Sequence, residues 1–415
     1  MDLIERLLAR GLHGAIHRGS LAVTFASGDV RRFGDGSGPA LAARFTDRRA
    51  QALMALDPDL RFGELYMDGR FVPVAGSIRD ILGLFYENAE AQAQPWLARV
   101  LAAVRFRARR LARSNLPARS RRNVAHHYDL DERLFRLFLD EDMQYSCAYF
   151  AKDDDTLEQA QAAKKRRLAA KLHLGPGSRV LDIGCGWGGL ALTLADAGAG
   201  EVLGVSLAEE QIRVARQRAS NAGLEDRVRF ELTDYRSLEG RFDRIVSVGM
   251  FEHVGVNFYR TFFQKAARLL ADDGVMVLHT IGSSEAPGFV TPWLDKYIFP
   301  GGDIPSLSEI VPRVERAGLI VTDVEVLRFH YALTLAEWAR RFQRRRAEAA
   351  ALYDERLCRM WEFYLAAAEC AFLHENLVVF QIQLARSARA LPRTRDYMSA
   401  SLATRAEASR APAQA

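Results

Sequence analysis

Between Arg179 and Gly282 the chain passes through five short apolar stretches: RVLDIG, EVLGVSL, RVRFELTD, FDRIVSVG and VMVLHTIG. Most are separated by helical patterns such as AEEQIRVARQRASNAG and NFYRTFFQKAARLL. Strands so continuously apolar bury both faces, which requires a mainly parallel sheet with helices on either side. An α/β fold with a doubly wound, mainly parallel, Rossmann-like sheet is therefore expected. Just upstream, Thr156 and Gln159 have the spacing of a capping box that starts the helix TLEQAQAAKKRRLAAKL, and GPG at 175–177 ends it.

In such a sheet, ligands sit at the carboxyl ends of the strands. The first strand runs into DIGCGWGG, in which Gly184, Gly186, Gly188 and Gly189 crowd into six positions. Backbone this bare lets a ligand approach closely. A nucleoside triphosphate would call for G-x-x-x-x-G-K-[ST], and no Lys-Ser or Lys-Thr follows. A dinucleotide would call for G-x-G-x-x-G and an acid about 20 residues on. Here Ser206 and Leu207 stand near that place, with Glu209 close by. S-adenosyl-L-methionine fits best. Its tail carries an ammonium group and no phosphate, Asp182 precedes the loop as a carboxylate partner, and Gln211 could reach the ribose. Asp234 and Tyr235, after the third strand, could take the adenine.

The rest of the chain bounds the setting. Its 415 residues suffice for two domains. Residues 1–103 read as a smaller N-terminal α+β domain, opening on an amphipathic helix and carrying short strands at LAVTF and RFVPV. VRFRARRLARSNLPARSRR, within 104–122, holds eight arginines and no acid and reads as a linker. A second cluster comprises Arg340, Arg341, Arg344, Arg345 and Arg346. Both could attract the phosphates of a lipid surface or a nucleic acid. Beyond residue 335 the pattern reads as helical through LVVFQIQLA, with helical insertions into the catalytic domain 123–390. Residues 391–415 read as a disordered tail. No apolar run approaches the ~20 residues of a membrane span. The four cysteines, Cys147, Cys185, Cys358 and Cys370, form no C-x-x-C pair, which argues against a zinc site or a disulfide framework. A cytoplasmic location and no metal are expected.

VLDIGCGWGGLA, DYR, FDRIVSVGMFEHVG, HYDL, DEDMQYSCAYF, LHTIG, YIFPGGDIPS and HYALTLAEW occur in this order over most of residues 123–385. Together they resemble the cyclopropane-fatty-acyl-phospholipid synthase family, including the mycolic acid cyclopropane synthases, which have a class I methyltransferase fold. GELYMDGRF, 63–71, resembles that family's longer N-terminal domain. The resemblance implies cofactor contacts at Tyr145, Ser146, the Asp182–Gly189 loop, Ser206, Leu207, Gln211, Asp234 and Tyr235. It also implies a bicarbonate ion held by Cys147, Glu252, His279, Ile281 and Tyr331. Without it, Glu252 itself reads as the base. One departure stands out: the family's cysteine in YL..C falls on Ala368, and Cys370 lies two residues later, which argues against a covalent cysteine mechanism.

The function so implied is methylene addition across the cis double bond of an unsaturated acyl chain in a phospholipid, giving a cyclopropane fatty acid. The alkene must be held in line with a sulfonium methyl group. The walls must tolerate cationic charge, for which Tyr149, Phe150, Phe251, Tyr259, Tyr297 and Phe299 are candidates. His127, Tyr128 and Asp129, leading into ERLFRLFLDEDMQYS, are expected to cover the cofactor. Alternatives are a methyl-branched or exomethylene product, methylation of a small-molecule amine, or a non-enzymatic lipid or nucleic-acid binding protein. The expected partners are the unsaturated phospholipid and an anionic membrane surface at the inner face of the cell membrane, with a homodimer possible and no nucleic acid.

Overall fold

The computed structural model describes residues 2–89, 132–288 and 290–399. The arginine-rich stretch 104–122 and the His127, Tyr128 and Asp129 motif lie outside them. The chain divides into two compact units. Among the described residues, one unit comprises 2–89, 290–300 and 332–377, and the other 132–288, 301–331 and 378–399. The division is interleaved along the chain, whereas the sequence pattern suggested a linear succession of domains.

The first unit begins with the helix Leu3–Ala15, started by a capping box between Asp2 and Glu5. Four strands follow: β1 (Ser20–Thr24), β2 (Val30–Phe33), β3 (Ala40–Phe45) and β4 (Phe71–Ala75). They form a mixed sheet in the order β2-β1-β3-β4, with β1 and β3 parallel. The helices Pro58–Met67, Ile78–Ala89 and Glu355–His374 pack together in this unit, and Phe62 meets Phe363 at 5.6 Å. Of the second arginine cluster, Arg340 and Arg341 pair with Glu337, Arg345 with Glu348, and Arg346 with Glu355 and Glu362. Four of its five cations are thus already matched by nearby carboxylates, which weakens the reading of this cluster as a phosphate-attracting patch.

The second unit is built on seven strands. β5 (Arg179–Ile183), β6 (Glu201–Ser206), β7 (Val228–Leu232), β8 (Phe242–Val248) and β9 (Leu270–Ser283) fall where the apolar runs place them. β10 (Ile320–Leu327) and β11 (Leu377–Ala385) complete the order β10-β11-β9-β8-β5-β6-β7. β5 through β9 pair in parallel, and β10 with β11 antiparallel. LVVFQIQLA, read from the sequence as helix, is β11, buried along almost its whole length. Its end alternates with the period of a strand, Phe380-Gln381-Ile382-Gln383-Leu384, with both glutamines buried, and its β-branched residues favour strand as well. The start of the expected tail is also ordered: Arg395 pairs with Asp323 at 2.7 Å, and Met398 is buried.

The core lies on both faces of this sheet. One face packs Phe251, Tyr259, Phe262 and Phe263 with Leu278 and Phe380; the other packs Leu168, Leu190, Ile212 and Phe230 with Val246. From β5 the chain moves outward to β6 and β7, then returns to β8 on the other side of β5. That reversal opens a crevice at the carboxyl ends of β5 and β8, where such sheets bind ligands.

Candidate active site

A cavity of about 1190 Å³, counting the space at its open mouth, occupies this crevice. The loop after β5 forms its floor. Gly184 has φ = 83°, and a Cβ there would lie 2.7 Å from the Met250 Cβ, so the turn needs glycine. Ten of the twelve expected cofactor residues line the cavity: Tyr145, Ser146, Asp182, Gly184, Gly186, Ser206, Leu207, Gln211, Asp234 and Tyr235. Gly188 and Gly189 do not. Gly188 caps the helix Gly189–Asp196 and presses on Phe230 and Ala215, while a Cβ on Gly189 would fall 2.3 Å from the Asp142 carboxylate. These two glycines serve packing rather than ligand contact.

Asp182 is the most informative group. It is 1% exposed, and neither carboxylate oxygen has a hydrogen-bond partner. Burial pushes its carboxyl up to about 7, tempered by the charge of Lys164. A carboxylate this dry and unpaired is built to receive a cation. Around it, Gln211 Oε1 accepts from Ser206 Oγ at 3.1 Å. The Asp234 carboxylate accepts from the Arg236 backbone N–H at 3.0 Å and from its guanidinium at 2.7 Å, so part of its accepting capacity is already used.

The wall facing the glycine loop is the segment 140–146. Phe135 and Phe138, both fully buried, pack against Tyr145 with ring centroids at 5.1 and 6.3 Å. Arg218 ties the two walls together by donating to the carbonyls of Asp142 and Trp187 at 3.1 and 2.9 Å. From this segment, Met143, Gln144, Tyr145 and Ser146 line the cavity.

The five residues of the expected anion site are absent from the lining of the cavity; of them, Glu252 and Ile281 are joined directly, and His279 shares a strand with Ile281. The Ile281 N–H donates to Glu252 Oε1 at 2.6 Å, and Glu252 Oε2 is buried with no partner. Burial pushes the Glu252 carboxyl up to about 7. His279, two residues before Ile281 on β9, is held neutral by burial, with Lys164 and Lys171 adding to the effect, and its Nδ1 lies 3.2 Å from Gln381 Nε2. The Gly249 N–H donates to the His279 carbonyl at 3.0 Å, which ties this cluster to the cavity wall at Gly249 and Met250. Cys147 follows Ser146 directly and its thiol donates to the Ala148 carbonyl. Tyr331 is buried. Its neighbour His330 accepts from the Phe150 N–H at 3.2 Å and stacks on Tyr149 at 4.5 Å.

Several expected residues serve elsewhere. Phe251 and Tyr259 are fully buried and stack on each other at 4.5 Å, and the Tyr259 hydroxyl donates to Asp303. Tyr297 and Phe299 belong to the other compact unit, where Tyr297 donates to Glu64 and Phe299 packs on Tyr364. Core packing claims Phe251 and Tyr259, while Tyr297 and Phe299 are half-buried. Cys370 also belongs to that unit; it is buried, and desolvation pushes its thiol up to about 12, so it is not a prepared nucleophile. Among the described residues no cluster of three metal-capable side chains occurs, and no helix is long and apolar enough to cross a membrane.

Sequence reasoning missed two residues of the helix Leu157–Leu172: Gln161 and Lys164, both fully buried. Their i, i+3 spacing puts them on one face, but a lysine within KKRR reads as solvent-facing until tertiary structure shows otherwise.

Comparison with known proteins agrees with this geometry. A 42% identical stretch of 269 residues, 62% of this chain, aligns with 68% of a Pseudomonas putida protein described as a "Probable fatty acid methyltransferase". A 45% identical stretch of 260 residues, 63% of this chain, aligns with 66% of the cyclopropane-fatty-acyl-phospholipid synthase of Escherichia coli K12. The chain therefore spans about two thirds of the length of these curated relatives. The structure of a mycolic acid cyclopropane synthase, CmaA1, solved with SAH and CTAB, superposes with a TM-score of 0.60 at 35% identity, covering 64% of this chain and 98% of that one. Residues 13–95 match a domain described only as of unknown function. The fold is that of S-adenosylmethionine-dependent methyltransferases, and residues 116–382 match the model described as mycolic acid cyclopropane synthetase, the family to which this chain belongs.

Proposed function

We propose that this protein uses S-adenosyl-L-methionine to add a methylene group across the cis double bond of an unsaturated acyl chain in a membrane phospholipid. The observation that carries the proposal is the Asp182 carboxylate, buried without a partner in a cavity lined by ten of the residues a methyltransferase of this family would use. Its fit is to a cationic ligand end, which the cofactor's ammonium supplies. Ser206, Leu207 and Gln211 line the cavity where the ribose would be read, and Asp234 and Tyr235 where the adenine would. When bound, the cofactor supplies an electrophilic methyl group. Tyr145 and Ser146 form the wall that keeps water from that methyl.

Loss of a proton from the methylated chain requires a base. The unpartnered Glu252 oxygen, with its carboxyl near neutrality, is suited to share a proton with a small proton-bearing anion such as bicarbonate. His279, Tyr331, and the backbone at Cys147 and Ile281 are the groups proposed to hold that anion. Glu252 Oε1 already takes the Ile281 N–H, so its free oxygen is the one left for the ion. Peripheral association with the inner face of the membrane is proposed for residues 1–103 and the arginines of 104–122.

The test is incubation of purified protein with methyl-labelled cofactor and vesicles of unsaturated phospholipid, followed by NMR of the acyl product. Cyclopropane ring protons support the proposal. Vinyl or branched-methyl signals would instead assign a methyltransferase of the kind named for the Pseudomonas putida relative. No label in lipid overturns it. Rate loss on removing bicarbonate supports the anion role, whereas indifference rejects it. Salt-sensitive binding to anionic vesicles but not to duplex DNA supports the membrane assignment.

A further inference from the structure

The helix Leu157–Leu172 grips the cavity wall at four points. Gln161 Nε2 donates to the carbonyls of Gln144 and Ser146 at 3.2 and 2.9 Å. Lys164 Nζ donates to Gln144 Oε1 at 2.5 Å and to Ser146 Oγ at 2.9 Å. The two gripped residues flank Tyr145, and all three line the cavity. Lys164 is 0% exposed, and both of its hydrogen-bond partners are neutral. Burying an ammonium costs several kcal/mol even after relaxation, far more than two neutral acceptors return. The nearby carboxylates of Asp140 and Asp142 offset part of that cost, and a leucine or methionine would pack the same place without a charge to act on the site. The Lys164 charge is felt first at the buried Asp140 carboxylate, then at Asp142 and Cys147, and also at Asp182 and His279.

We propose that Lys164 is a positioning residue for the cofactor, fixing Gln144 and Ser146 as the wall against its amino-acid end and setting the field at the Asp182 side of the cavity. The inference rests on the cofactor reading above. Burial pushes the Lys164 ammonium down to about 8, so it remains mostly charged at neutral pH. The adenosine end of the cavity, at Ser206, Gln211 and Asp234, has no hydrogen bond to Lys164. Loss of the lysine should therefore discriminate between ligands with and without an amino-acid tail.

Calorimetric binding to the full chain tests this with two probes: S-adenosylhomocysteine, and 5′-methylthioadenosine, which keeps the adenosine and lacks the tail. Lys164→Met removes both hydrogen bonds and charge, and Lys164→Gln keeps a donor without the charge. The expected result is a loss of about tenfold or more for S-adenosylhomocysteine in K164M, a smaller loss in K164Q, and less than about threefold for 5′-methylthioadenosine in both. Equal losses for both probes mean a merely architectural lysine and overturn the inference. So does unchanged S-adenosylhomocysteine binding, or failure of both variants to fold. A wild-type chain that binds neither probe refutes the cofactor reading itself, and this inference with it.

Discussion

Replacing Asp182 by asparagine should stabilise the ligand-free protein while disabling it. The wild-type carboxyl is buried without a hydrogen bond and titrates near 7, against 3.8 for an ordinary aspartate. Below pH 4 it is protonated in both folded and unfolded chains and costs nothing. Between 4 and 7 the unfolded chain releases the proton while the folded chain keeps it, so folded-state stability falls as pH rises. Above 7 both are ionised and the loss levels off. At about 1.4 kcal/mol per pH unit the full loss is on the order of 4 kcal/mol. Between pH 5 and pH 8 the accrued part is roughly 2–3 kcal/mol. Asparagine carries none of this pH-dependent cost; its own unsatisfied amide adds an offset independent of pH. Other buried acids, Glu252 and Asp140 among them, titrate in both proteins and cancel in the difference. For a unit of this size the gap between the two unfolding midpoints should widen by about 5 °C from pH 5 to pH 8. Thermal unfolding of both ligand-free proteins at several pH values reads this directly. Saturating S-adenosylhomocysteine should raise the wild-type midpoint at pH 8 and leave that of D182N nearly unmoved. A midpoint gap that stays constant from pH 5 to pH 8 would refute the reasoning, because the carboxylate would then be solvated or paired.

Three further outcomes are expected. Gly189→Ala forces a Cβ into the Asp142 carboxylate, which Lys165 and Arg218 pin in place, and should cost about 1–3 kcal/mol along with weaker cofactor binding; denaturation and calorimetry measure both. Glu252→Gln should lower kcat about 100-fold in the labelled-lipid assay. Its affinity for S-adenosylhomocysteine should stay close to wild type, since Glu252 does not line the cavity. Cys370→Ala should keep methyl transfer within about twofold of wild type, because the thiol is buried and held protonated; a loss of activity at unchanged stability would restore a role for that sulfur.

The legible part of the site was the part encoded locally. The five strands β5–β9, the capping box at Thr156 and the turn at Gly184 rest on patterns spanning a handful of residues, and each falls where the pattern puts it. Most of the cofactor-lining set was legible for a related reason: the residues of one loop and two strand ends follow from strand order once the sheet is known to be parallel, whereas Tyr145 and Ser146 came from the family resemblance alone. The errors have local causes too. The period-two alternation in β11 spans only FQIQL and follows a long helical pattern, and rings at Phe251 and Tyr259 look alike whether they line a pocket or fill a core.

What the sequence determined by itself, then, was the doubly wound sheet, the glycine turn and the family to which the motifs point. Tertiary structure alone decided that Asp182 has no partner, that Lys164 is buried although it sits in KKRR, and that Ile281 donates to Glu252 from 29 positions away. Periodicity and turn chemistry act between near neighbours and can be read from their order. Desolvation depends on every segment that shields a group from water, and those segments come together only when the chain has folded.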